Sequence, residues 1–142
     1  MFDLSTSPLP YWYYFASVLG FNSVIFLLAT AMNDLSIVDP VWSIMFLIPN
    51  ALEVYARRNE VSDVMKLTGL LVTIWAVRLS LHIGLKHEGE DERYKVIARR
   101  WAHRGPVGKL ISAFLWVFGL QGFLSVLVNA SALHIMRFSP KD

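Results

Sequence analysis

Three stretches put ionisable side chains where their neighbours are apolar. Arg78 is preceded by LTGLLVTIWAV and followed by LSLHIGL. Trp75, Arg78 and His82, spaced i, i+3, i+7, share one helix face. A guanidinium so placed has two open roles: it clamps a phosphate or carboxylate, or it reaches for the nearer interface or a structural acid partner. Asp39 heads the second stretch. Asp39, Ser43, Asn50, Glu53 and Arg57 fall within about 40° of one line at helical pitch. The stripe reads as a polar seam inside a bundle or as the wall of a site. Asp39 and Arg78 are expected at comparable depth, so they either pair or grip one polar ligand from opposite sides.

The third stretch is HEGEDERYKVIARRWAHRGP. Its second half is amphipathic, with Tyr94, Ile97 and Trp101 in one stripe and Lys95, Arg99, Arg100 and Arg104 around the rest. It fits an interfacial helix resting on anionic lipids, or a phosphate-binding lid over a membrane site. Gly105-Pro106 ends it and turns the chain. His82, His87, Glu88 and His103 lack HExxH spacing and the chain has no cysteine, so no metal site is expected. No GxGxxG, GxxxxGK[ST] or GxSxG motif occurs.

The elements that must position these residues are membrane helices. Of 142 residues 55% are hydrophobic and 17% charged, against roughly 45–50% and 25% in soluble domains. Residues 11–33 and 110–136 carry no Asp, Glu, Lys or Arg, and uncharged apolar runs of that length are transmembrane candidates. A small soluble enzyme, a nucleic-acid-binding domain and a disordered tail are excluded. Four spans are expected, at about 11–33, 40–56, 67–85 and 110–136. The second opens with Asp39 as N-cap and Pro40 after it, and Pro49 should kink or divide it. Asn22, in the first, should make an interhelical hydrogen bond. The expected fold is all-α, an integral membrane four-helix bundle with one amphipathic interfacial helix, residues 1–142 forming a single membrane domain.

The N-terminus, MFDLSTSPLP, carries Asp3 and no basic residue, so it is not a secretory signal and the first span inserts uncleaved. Seven of the 13 Lys and Arg residues lie between Lys86 and Lys109. The positive-inside rule therefore puts loop 86–109 on the cytoplasmic side or its equivalent. The net charge of +2 identifies no partner. The expected partners are the bilayer, anionic lipids at loop 86–109, and other membrane protein chains. Which membrane is left open.

The string LLVTIWAVRLSLHIGLKHEGEDERYKVIARRW resembles the central signature of the steroid 5-alpha-reductase-like membrane proteins, in the branch with a W-x-x-R-L…E-D-x-R-Y pattern. SIVDPVWS resembles that branch's V-D-x-x-W element, and QGFLSVLVNA the segment after the signature. The resemblance spans about residues 33–130 and centres on Trp75, Arg78, Glu90, Asp91, Arg93 and Tyr94. It implies a multi-helix oxidoreductase that uses NADPH to reduce an activated carbon–carbon double bond in a steroid or other lipid. Hydride goes to the β-carbon of an enone while an acid polarises the carbonyl. By position it implies cofactor-binding roles for Arg78, His82, Glu90, Asp91, Arg93 and Tyr94, and makes Asp39 the catalytic acid of the second helix. The family's second signature, of R-H-P-N-Y type, is absent from these 142 residues. Three functions are expected in turn. One is a truncated, non-catalytic subunit of a larger membrane assembly. Another is an NADPH-dependent reductase completed by a second chain. The last is a sterol- or lipid-binding membrane protein.

Overall fold

The computed structural model describes residues 9–140, and the MFDLSTSP segment with Asp3 lies outside them. Among the described residues the structure is helical throughout, with no strand. Four helical stretches are long and apolar enough to cross a membrane: Tyr11–Met32, Leu35–Ala56, Asp63–Gly84 and Ala102–Val128.

Helix α1 (Tyr11–Met32) starts after Pro10 and ends at Asn33. Asn33 sits in the left-handed region at φ 54°, which asparagine tolerates, and its N–H closes on the last carbonyls of the helix. Tyr11, Trp12 and Tyr13 are exposed at the opening turn, as an interfacial aromatic belt requires. Asn22 is fully buried and donates from Nδ2 to the Phe118 carbonyl oxygen at 2.7 Å. The expected interhelical bond is therefore present, between the first and fourth spans.

The second span differs in detail from expectation. Asp39 is not its N-cap. The capping side chain is Asp34, which accepts from the Ser36 N–H and opens a 3₁₀ turn at Leu35–Ile37. Helix α2 (Val38–Trp42) follows, with Asp39 in its first turn. A second 3₁₀ turn, Ser43–Phe46, then leads into helix α3 (Leu47–Ala56). Pro49 explains the tightening: it has no N–H to offer the Met45 carbonyl, so α-helical bonding is interrupted one turn before it. The span continues past the proline instead of ending there. Ser43, Asn50, Glu53 and Arg57 are all buried, so the polar stripe does face the bundle interior.

Helix α4 (Asp63–Gly84) begins at Ser62, whose hydroxyl accepts from the Met65 N–H. It buries Met65 and Ala76 against its neighbours and leaves most of its other surface open. The short helix α5 (Glu92–Arg100) is capped by Asp91 and buries Tyr94. Gly105, at φ +70°, turns the chain into α6 (Gly105–Ala113), with Pro106 in the first turn. The fourth span thus starts earlier than residue 110. It widens into a π-helical segment at Phe114–Gly119, continues as α7 (Leu120–Val128), and after Asn129 runs on as α8 (Ala130–Phe138). Tyr14, Val18, Met45, Val117, Phe118 and Val126 are buried together where the first, second and fourth spans meet.

Candidate functional site

Two short loops carry the polar machinery, and both lie at the same end of the bundle. Asp34 Oδ1 accepts from the Ser36 N–H at 3.0 Å and from the Ser36 hydroxyl at 2.5 Å. Asp34 Oδ2 pairs with His87 Nε2 at 2.8 Å. The Ser36 hydroxyl oxygen in turn accepts the Asp91 N–H at 3.1 Å, and Glu90 accepts the Leu35 N–H at 3.2 Å. The 33–37 turn therefore holds the 87–91 loop in register by four groups. Burial acts to raise the Asp34 pKa. Hydrogen bonds from Ser36 and His87 outweigh it, and the carboxyl ends below its ordinary value.

Held in this way, α5 aims two side chains at Asp39. The Tyr94 hydroxyl donates to Asp39 Oδ1 at 2.5 Å, and Arg93 Nη2 donates to Asp39 Oδ2 at 3.0 Å. Arg93 is gripped from behind by Asp91, whose carboxylate takes Nε at 3.1 Å and Nη2 at 2.9 Å. That pairing pushes the Arg93 pKa up and pulls Asp91 down. Burial, reinforced by the Asp39 carboxylate, keeps the Tyr94 hydroxyl protonated well above its ordinary range. Gln121 Nε2 donates to the same hydroxyl at 3.2 Å, and Trp42 Nε1 donates to the Gln121 carbonyl oxygen at 3.3 Å.

Asp39, Trp42, Ile83, Arg93, Gln121 and Leu124 line an open groove of about 490 Å³. The Arg93 side chain is 70% exposed there, and its Nη1 has no acceptor among the described residues. The groove thus offers a fixed guanidinium, a carboxylate, an amide and a protonated phenol along one wall. Such a set binds a phosphate or hydroxyl-bearing ligand and can relay a proton between Tyr94 and Asp39.

The sequence-derived site separates into parts. Asp39, Asp91, Arg93 and Tyr94 come together. Glu90 is adjacent but spends its carboxylate on Leu35. Arg78 and His82 do not join them. The expected Asp39–Arg78 proximity is not what the structure shows, because Arg93 and Tyr94 hold both oxygens of Asp39. Arg78 projects from α4 on the side away from buried Ala76, and both it and His82 are exposed. The reason is angular: Arg78 stands two residues, about 160°, round the helix from Ala76.

A family model described as a protein of unknown function, DUF1295, matches residues 25–141. The chain belongs to the DUF1295 family. No curated protein and no solved structure matches it. The DUF1295 match takes in every member of the Asp39 network, from Asp34 to Gln121. Gln121 was not singled out by residue type and spacing. Its only signal is a lone amide in a long uncharged run.

A second polar cluster lies at the far end. The Tyr14 hydroxyl donates to Glu53, and both side chains are buried. Arg57 donates from Nη1 to the Met136 and Arg137 carbonyl oxygens, at 2.6 and 2.8 Å. Asn129 Nδ2 donates to Asn50 Oδ1 at 3.2 Å. This cluster ties the end of α3 to α8. Of its members, Tyr14 lies before the start of the DUF1295 match.

Proposed function

We propose that this chain supplies one wall of an NADPH-dependent, steroid 5-alpha-reductase-like site. On this reading it is inactive by itself and works within a larger membrane assembly whose further helices close the groove. The observation that supports it is the Asp39–Arg93–Tyr94–Gln121 network, which faces an open groove rather than an enclosed cavity.

The described residues fit one end of a dinucleotide. The free Nη1 of Arg93 suits a phosphate, and Gln121 and Asp39 suit ribose or amide groups. They do not surround a whole NADPH, which has more polar groups than this one wall can satisfy. Bound there, NADPH would supply hydride. This chain's own part is to fix the phosphate end through Arg93, to hold Arg93 in place through Asp91, and to keep Tyr94 protonated beside Asp39. Arg78 and His82 would take part only through groups brought to the outer face of α4.

The test is native size in mild detergent with mass spectrometry of the co-migrating chains, followed by NADPH titration. The reading expects migration with partner chains, and saturable NADPH binding in that assembly that Arg93→Ala weakens at least tenfold. A protein that migrates alone and binds no NADPH, or a complex that binds NADPH equally well with Arg93→Ala, overturns it.

One observation favours lipid binding as a second reading. A largely apolar groove of about 580 Å³ runs between α3 and α4, bordered by Leu47, Ala51, Val54, Met65 and Gly69. A sterol that raises thermal stability without NADPH would support that reading.

A further inference from the structure

The outer face of α4 carries a stripe that the groove around Asp39 does not use. Arg78, His82 and Lys86 follow one another at i, i+4 and i+8, and all three are exposed. Lys86 Nζ donates to His82 Nε2 at 3.3 Å. None of the three belongs to an ion pair among the described residues. The stripe rises about 12 Å along the helix axis, from Arg78 inside the span to Lys86 just past its end.

The surface between these groups is apolar. Ile74, Val77, Leu81 and Leu85 are 56%, 42%, 58% and 85% exposed. Thr73, Ile74, Val77, Arg78, Leu81 and His82 outline a shallow groove of about 620 Å³. The face is therefore built in two zones: hydrocarbon-facing side chains below, and basic groups that climb toward the headgroup layer above. An unpaired arginine within a span is costly unless it meets an anion or reaches the interface.

We infer that this face holds one anionic phospholipid. An acyl chain lies along Ile74, Val77 and Leu81, and the phosphate sits between His82 and Lys86, with the Arg78 guanidinium reaching up to it. The chemistry is charge complementarity together with length. Three basic groups with no acidic partner match a phosphodiester at the interface, and the apolar floor beneath them matches its tail. A carboxylate on a partner helix would satisfy Arg78 but would leave the upper two groups without an anion. The groove around Asp39 opens elsewhere, at Ile83 and Leu124, so this site stands or falls independently of the reductase-like reading.

The test is native mass spectrometry of the purified full chain, titrated with palmitoyl-oleoyl phosphatidylglycerol and with phosphatidylcholine of the same chains. Glycerol phosphate serves as the headgroup without a tail. The expected result is one phosphatidylglycerol held preferentially over phosphatidylcholine, with no binding of glycerol phosphate. Arg78→Ala and Lys86→Ala should each weaken the preference about fivefold, the scale of one interfacial cation. Lys86 lies outside the span, so Lys86→Ala keeps the test readable if Arg78→Ala fails to insert. Arg99→Ala with Arg100→Ala, on α5, should leave the preference unchanged. Equal retention of the two lipids overturns the site. So does a preference that survives both α4 substitutions, one that is lost with the α5 pair, or a partner helix found covering Arg78 in place of lipid.

Discussion

Tyr94 and Asp39 lie 55 residues apart and are joined by a hydrogen bond of 2.5 Å from the phenol to Oδ1. That bond fastens the amphipathic helix α5 to the first turn of the second span. Tyr94→Phe removes it and leaves Asp39 with Arg93 alone. The expected cost is roughly 1–3 kcal/mol, read as a lower thermal midpoint in detergent. Because burial and Asp39 raise the Tyr94 pKa above the ordinary 10.0, the folded state holds its proton more tightly than the unfolded chain. Its contribution is present in full below pH 10 and is lost as pH rises above it. Ultraviolet difference titration should therefore show one tyrosine ionising well after the exposed ones, and Tyr94→Phe should abolish that late step.

The Asp34 cluster makes the opposite prediction. Asp34 is depressed below its ordinary 3.8, so its stabilising effect is present above that pH and fades as pH falls through the lowered value. Acidification should release the 87–91 loop before the spans unfold. Hydrogen exchange at residues 86–91 should accelerate at low pH. Ser36→Ala should do the same at neutral pH, since it deletes a donor to Asp34 and the acceptor of the Asp91 N–H.

Arg57 caps the C-terminal end of α8 through the carbonyl oxygens of Met136, Arg137 and Ser139. Helix ends leave their last carbonyls without partners unless something supplies donors. Arg57→Ala should cost about 1.5–3 kcal/mol or more, the scale of hydrogen bonds from a charged donor. Limited proteolysis should then cut within 130–139 at a rate the native protein does not show.

Gly122 is where the first and fourth spans come closest. A Cβ built there would lie 2.4 Å from Asn22 Nδ2 and 3.3 Å from Val18 Cγ1. Gly122→Ala must displace Asn22 from the Phe118 carbonyl or part the helices. A loss of roughly 1–3 kcal/mol is expected from such overpacking. Gly69, with nothing within 4 Å of its added Cβ, is the control: Gly69→Ala should be neutral or slightly stabilising.

The spans and the buried polar stripe were legible because each depends on a local pattern. A run of uncharged apolar residues gives a span wherever it packs, and helical pitch alone lines up Ser43, Asn50, Glu53 and Arg57. The partners were less legible. Pitch gives the face on which Arg78 stands but not which neighbour that face meets, so the expected meeting with Asp39 did not occur. The Tyr14–Glu53 contact and the reach of Gln121 to Tyr94 join distant segments, and no spacing within one helix announces them. The first turn of the second span was misassigned because two acids, Asp34 and Asp39, both precede apolar helix. Only Asp34 has a serine two residues on to receive at its backbone N–H.

The wide turn at Phe114–Gly119 has a consequence that substitution alone would never expose. A turn closed between residues five apart holds one residue more than its α-helical counterpart. The fourth span can therefore lose a residue there and regularise into ordinary helix without breaking. Everything beyond would then swing about 100° around the axis. Gln121 would turn away from Tyr94, and Gly122 would be replaced at Asn22 by a residue with a side chain. In this protein the correct phase of the last helix depends on how many residues the widened turn contains, so a single deletion there should be far more damaging than any one replacement.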